Sequence, residues 1–159
     1  MLQVLSAEKW RERDVHLSIF GTGPYGRVQK SLAQTYGLNN VSFEGFTNDV
    51  ESIWRRHHAL MLPSRLEGLP LVVVEAMHMG RPCVVTDVHG NAEVIEDNVS
   101  GWVAAAAVPK YFDEALERAW QRRSEWRQVG EKAREAIHRL IPEDPAGAFA
   151  QRLVEMVSG

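Results

Sequence analysis

Short β-branched apolar segments alternate with helical segments along almost the whole chain, and several helical segments stop at a glycine. Val15–Phe20 (VHLSIF) runs into Gly21 and reads as a strand and a turn. Arg27–Tyr36 has helical spacing and stops at Gly37, and Val41–Glu44 is a short strand. Thr47-Asn48-Asp49 supplies capping residues for a helix over Val50–Arg56, and Ala59–Leu62 reads as a buried strand broken by Pro63-Ser64. Glu67–Gly80 (EGLPLVVVEAMHMG) is read as a helix despite the β-branched run Leu71–Val74. Pro70 suits a first helical turn, Gly80 a helix stop, and Cys83-Val84-Val85 is already the next strand. Asn91–Glu96 is a short helix and Gly101–Val103 a short strand. From Phe112 to about Leu140 the chain is helical, with a break expected near Gly130, and a last helix covers Phe149–Val157. At the other end Ser6–Arg13 is a charged helix with Trp10 on its apolar side. This alternation dictates an α/β class with a mostly parallel sheet and helices on both faces.

The composition narrows the function classes. A length of 159 residues makes one domain able to bury roughly 68–70% of the surface of its unfolded chain. The net charge of −3, with no basic block, excludes nucleic acid as the expected partner. The one cysteine, Cys83, cannot form an intramolecular disulfide; it fits a reducing compartment and is expected to be inert in a buried strand. No apolar run approaches the ~20 residues of a membrane span, and the start is unlike a signal peptide, so a cytoplasmic location is expected.

Open parallel sheets bind ligands beyond the carboxyl ends of their strands, where loops meet helix N-termini that favour phosphate. Four such loops follow: Gly21–Gly26, Gly45–Asn48, Pro63–Pro70 and Thr86–Asn91. The first, Gly21-Thr-Gly23-Pro-Tyr-Gly26, matches G-x-G-x-x-G, and Glu44 lies roughly 20 residues on, where a dinucleotide site places its ribose-binding acid. An NAD-type module using Gly21–Gly26 and Glu44 is therefore one reading, and a tight strand-to-helix turn is the other. The third loop brings two carboxylates to one strand-to-helix junction, Glu67 in the loop and Glu75 on the helix. Gly68 lets a ligand approach the backbone, and the N–H groups of Leu69, Leu71 and Val72 begin the helix. Carboxylates suit sugar hydroxyls and the helix start suits phosphate; two solvated glutamates are the plainer alternative.

Ser64–Ala76 resembles the signature of the retaining, nucleotide-sugar-dependent glycosyltransferases of the GT-B fold, in particular family four (glycosyl transferases group 1). The resemblance extends to Gly21-Thr-Gly23-Pro24, Val41–Gly45, Gly80–Asp87, Gly90–Asp97 and Ser100–Val103, in order over about residues 15–140. It implies a Rossmann-like lobe of a GT-B fold, with residues 1–159 as a single C-terminal, donor-binding domain truncated at its N-terminus. It also implies roles. Glu67 would contact the donor sugar hydroxyls as the catalytic-site residue, and Glu75 the nucleotide ribose. Backbone amides from Gly68 through Leu69 and Leu71 to Val72 would meet sugar and diphosphate. Phe46 and Thr47 would edge the base, and Gly21 and Gly23 would floor the cleft.

The resemblance makes the nucleotide-diphosphate sugar a substrate, with no cofactor and no metal expected; the adjacent His57 and His58 form a poor metal site. The family's lobe opens with a strand, a Gly-Arg segment and a following lysine that neutralise the donor diphosphate. Nothing before Ser6 supplies them, and the acceptor-binding N-terminal lobe is also absent. His89 stands where the family more often has a second glycine. The fragment alone is therefore expected to be inactive, its partners being the donor and the missing lobe. A weak peripheral membrane contact through the arginines of Glu117–Arg139 stays open beside the plainer reading of that stretch as a helix with Trp120 and Trp126 inward.

Overall fold

The computed structural model describes residues 1 to 158 with the exception of Leu69, His89 and Glu143. Two short helices, α1 (Leu2–Leu5) and α2 (Glu8–Arg11), lead into β1 (Leu17–Phe20), α3 (Gly26–Thr35) and β2 (Val41–Gly45). Then follow α4 (Val50–Arg56), β3 (Leu60–Leu62), α5 (Leu71–His78), β4 (Cys83–Thr86), α6 (Gly90–Val94) and β5 (Gly101–Ala104). Three longer helices close the chain: α7 (Pro109–Gln121), α8 (Trp126–Leu140) and α9 (Pro145–Ser158). Every strand pair is parallel, as the alternation of strands and helices requires.

The strands form two sheets, β1-β2 and β3-β4-β5, each with the order in which the chain runs. β4 is fully buried along its length. Its side chains alternate between two apolar clusters. Val84 joins Leu5, Trp10, Trp102 and Phe112, while Cys83 and Val85 join Trp54, Val73, Met77 and Ile137. A core on each face of one strand is what helices on both faces of a parallel sheet produce. Burying each of these valines contributes about 1.5–3 kcal/mol.

Several expectations need correction. Ala59–Leu62 is not a buried strand: β3 is half-buried along its length, as is β1. Its far edge, away from β4, faces a cavity of about 530 Å3 whose opposite wall is β1. The helix after the Pro63–Pro70 loop begins at Leu71, with Pro70 as its cap residue in extended conformation, not inside the first turn. The break in the long C-terminal helical stretch falls at Arg123–Glu125, not at Gly130. There Trp126 Nε1 donates to the Ala119 carbonyl (2.8 Å), which also accepts the Arg122 N–H at the end of α7, so the indole pins the turn. Gly130 lies inside α8 because α8 crosses so close to Gly80 that an added Cβ would collide with the Gly80 carbonyl. The glycine marks a close approach of two backbones, not a helix stop.

At the C-terminus α9 starts at Pro145, four residues before the expected Phe149, and it presents Phe149, Leu153 and Val157 to solvent. Among the described residues no helix is long and apolar enough to cross a membrane.

Candidate functional site

The loops at the carboxyl ends of the strands hold the candidate site residues. After β3 the chain turns through Pro63–Pro70 and enters α5. Pro70 has no side-chain cap to offer, and Val73 and Val74 N–H both donate to its carbonyl. Leu71 and Val72 are left as first-turn donors without intrahelical acceptors, at the positive end of the helix dipole. The Leu71 side chain is exposed and an added Cβ on Gly68 would meet open space, so a ligand can reach this backbone. Leu69, expected to add a further N–H, lies outside the described residues, as does His89 in the loop after β4.

Glu67 is half-buried, and Ser64 Oγ donates to its Oε1 at 2.6 Å. Glu75, also half-buried, sits one turn into α5 and lines the 530 Å3 cavity together with Val72. The wall of that cavity is largely apolar: Leu17 and Ile19 from β1, Leu60 and Leu62 from β3, and Trp54 from α4. Glu67 stands outside it. The two carboxylates therefore belong to one loop-and-helix unit but face different surroundings.

The glycine turn lines a separate cavity. Gly21 has φ +109°, a conformation that demands glycine, and its N–H donates to the Gly45 carbonyl at 2.6 Å. Gly21, Gly23, Gly26, Glu44 and Lys30 share a second cavity, of about 600 Å3. The dinucleotide reading is thus met in part, since the glycines and Glu44 do come together. It fails on packing. The third glycine of such a fingerprint lets helix and strand pack closely, whereas a Cβ on Gly26 would meet nothing within 4 Å.

Phe46 is exposed, and Thr47 Oγ1 accepts from the Asp49 N–H (3.1 Å) just ahead of α4, whose cap is the Asp49 carboxylate accepting from Ser52 N–H. Phe46 and Thr47 stand at the carboxyl end of β2, beside the glycine turn, and line neither cavity. Cys83 is fully buried, and burial pushes its thiol pKa up, so it stays an unreactive thiol. His57 Nδ1 lies 2.7 Å from the Ile53 carbonyl and its ring packs edge-on against Phe20, which is a structural role.

Three polar residues of this region carry no role in the sequence reading: Ser64, Thr86 and Asn91. Thr86 and Asn91 are fully buried. Thr86 Oγ1 donates to the Ser64 carbonyl (2.6 Å) and Asn91 Nδ2 donates to the Thr86 carbonyl (3.1 Å). A threonine closing an otherwise apolar buried strand is the one sequence signal that could have marked them.

Residues 1–122 match the family model described as Glycosyl transferases group 1. An exopolysaccharide phosphotransferase of Streptomyces coelicolor is 32% identical over 145 residues, covering 89% of this chain. An alpha-D-kanosaminyltransferase of Streptomyces kanamyceticus is 34% identical over 111 residues, 68% of the chain. The chain spans only 15% and 29% of the lengths of these two relatives. Among solved structures, the Anabaena protein Alr3699/HepE in complex with UDP superposes with a TM-score of 0.82 at 19% identity, over 99% of this chain and 43% of that one.

Proposed function

The chain belongs to the glycosyl transferases group 1 family, and from that premise we propose that it is the donor-binding lobe of a retaining glycosyltransferase, holding a nucleotide-diphosphate sugar. The observation that carries this reading is the junction after β3. One loop and helix offer a carboxylate in the loop (Glu67), open donors at a helix start (Leu71, Val72) and a second, half-buried carboxylate on the same helix (Glu75). Carboxylates accept from sugar and ribose hydroxyls, while helix-start amides suit a diphosphate. Related folds agree in the kind of ligand, because HepE was solved with UDP and with UDP-glucose.

In the transfer, the bond from the anomeric carbon to the diphosphate oxygen breaks and a bond to an acceptor hydroxyl oxygen forms. The hydroxyl loses its proton and the anomeric configuration is kept. Glu67 orients the sugar and Glu75 anchors the ribose; Gly21 and Gly23 floor the cleft, and Phe46 and Thr47 edge the base. Charge developing on the departing diphosphate needs cations held in place. We assign that role, as the family resemblance does, to an arginine and a lysine outside these residues, with an acceptor-binding lobe as partner, and the 159 residues alone turn over no donor.

A thermal-shift panel tests the reading. UDP-, GDP- or ADP-sugars are expected to raise the melting temperature of the chain while NAD and NADP leave it unchanged. Stabilisation by NAD alone would return the choice to Gly21–Gly26 and Glu44.

A further inference from the structure

We propose that Thr86 and Asn91 are positioning residues for the donor sugar, acting through Ser64 to hold the Glu67 carboxylate in place; the proposal rests on the Glu67 assignment above. The loop after β3 has no ladder to hold it once the strand ends at Leu62. What fixes it is a chain of side-chain hydrogen bonds from the neighbouring strand. Asn91 Nδ2 donates to the Thr86 carbonyl (3.1 Å), Thr86 Oγ1 to the Ser64 carbonyl (2.6 Å), and Ser64 Oγ to Glu67 Oε1 (2.6 Å).

The burial of these groups decides where the rigidity comes from. Thr86 and Asn91 are fully buried, so the inner half of the chain is shielded from competing water. Glu67 and Ser64 are half-buried, so the carboxylate reaches the surface from an anchored base. One oxygen of Glu67 is taken by Ser64, which leaves Oε2 for a sugar hydroxyl and fixes its direction. A loop glutamate without such an anchor would lose rotamer entropy on binding and select poorly between hydroxyl arrangements. The loop after β3 is thereby tied to the end of β4 and the start of α6, at the point where the sugar is expected.

Binding of UDP and of UDP-glucose to the 159-residue chain, measured by titration calorimetry, provides the test. Wild type is expected to hold UDP-glucose more tightly than UDP. Thr86→Val keeps the branched shape and loses the donor. It is expected to leave UDP affinity within about twofold and to lower UDP-glucose affinity about tenfold, with Thr86→Ser restoring it. Ser64→Ala, at a half-buried position, removes the last link and should show the same selective loss; if Thr86→Val does not fold, Thr86→Ala takes its place. Equal weakening of both ligands, no weakening, or failure of the serine to rescue would overturn the proposal. A wild-type chain that does not distinguish UDP-glucose from UDP overturns the Glu67 assignment, and the relay with it.

Discussion

Glu75 shows how a single residue can be read from its surroundings. It lies half-buried on α5 against an apolar wall, and no side chain among the described residues pairs with its carboxylate. A half-buried carboxylate that lines a cavity with its hydrogen-bonding capacity unused fits a group whose partner is a ligand. Glu75→Ala is therefore expected to weaken nucleotide binding by about 1–3 kcal/mol, read by titration calorimetry, with little loss of stability. Unchanged affinity would remove Glu75 from the site. The placement of both glutamates on one loop and helix was legible in the sequence from their spacing around a glycine and a proline, while the roles proposed for them come from the family resemblance. Ser64, Thr86 and Asn91 were not. Their link runs from α6 through the end of β4 to the loop after β3, and only the parallel pairing of β3 with β4 brings Ser64 to Thr86.

The first two helices are fastened to α7 by a compact set of charges and aromatic rings. Trp10 is fully buried, packs edge-to-face on Trp120 (centroids 6.2 Å apart) and donates through Nε1 to Asp113 Oδ1 at 2.6 Å. Lys9 bridges Asp113 and Glu117, while both Arg13 guanidinium nitrogens reach Glu117 at 2.8 Å. The Arg13 guanidinium first, and the Lys9 ammonium after it, hold the Glu117 carboxyl at about 2, below the ordinary 4.5. A depressed carboxylate contributes stability that is fully present above the unfolded value and lost as pH falls from 4.5 towards 2. Urea midpoints measured between pH 6 and 2 are expected to fall through that window in wild type and to fall less steeply in Glu117→Gln; parallel curves would place the acid sensitivity elsewhere. At this scale most elements were legible, since glycine stops and alternating apolar segments locate them. The exceptions have tertiary causes. Gly130 answers to the Gly80 backbone, and β3 is half-buried because one edge faces a cavity.

That cavity is also the feature of the whole molecule that bears most on its function. Leu17 and Gly21 donate towards β2, to the Asn40 and Gly45 carbonyls, so the two-residue period of a strand turns the Ser18 and Phe20 amides to the cavity. Leu60 donates to the Pro82 carbonyl on the β4 side, which turns Met61 N–H the same way. Two parallel edges thus face one apolar slot, and a parallel strand laid between them would pair with both. It would make one sheet with the incoming strand first in chain order, 3-2-1-4-5-6, the doubly wound arrangement. Met1 lines the slot. A strand leading into Met1 would return to β1 through α1 and α2, within the dozen or more residues such a crossover needs. The switch point of the completed sheet would fall between that strand and β3, next to the loop that carries Glu67. These two open edges are the physical ground on which a strand in the slot is proposed. Joining a Val/Ile hexapeptide to Met1 through a two-residue link should slow hydrogen exchange at Ser18, Phe20 and Met61 by at least about tenfold. A proline at its centre, which cannot donate to the ladder, should abolish the effect. No slowing, slowing that survives the proline, or protection in the unextended chain that grows with protein concentration would show that the slot does not take this strand.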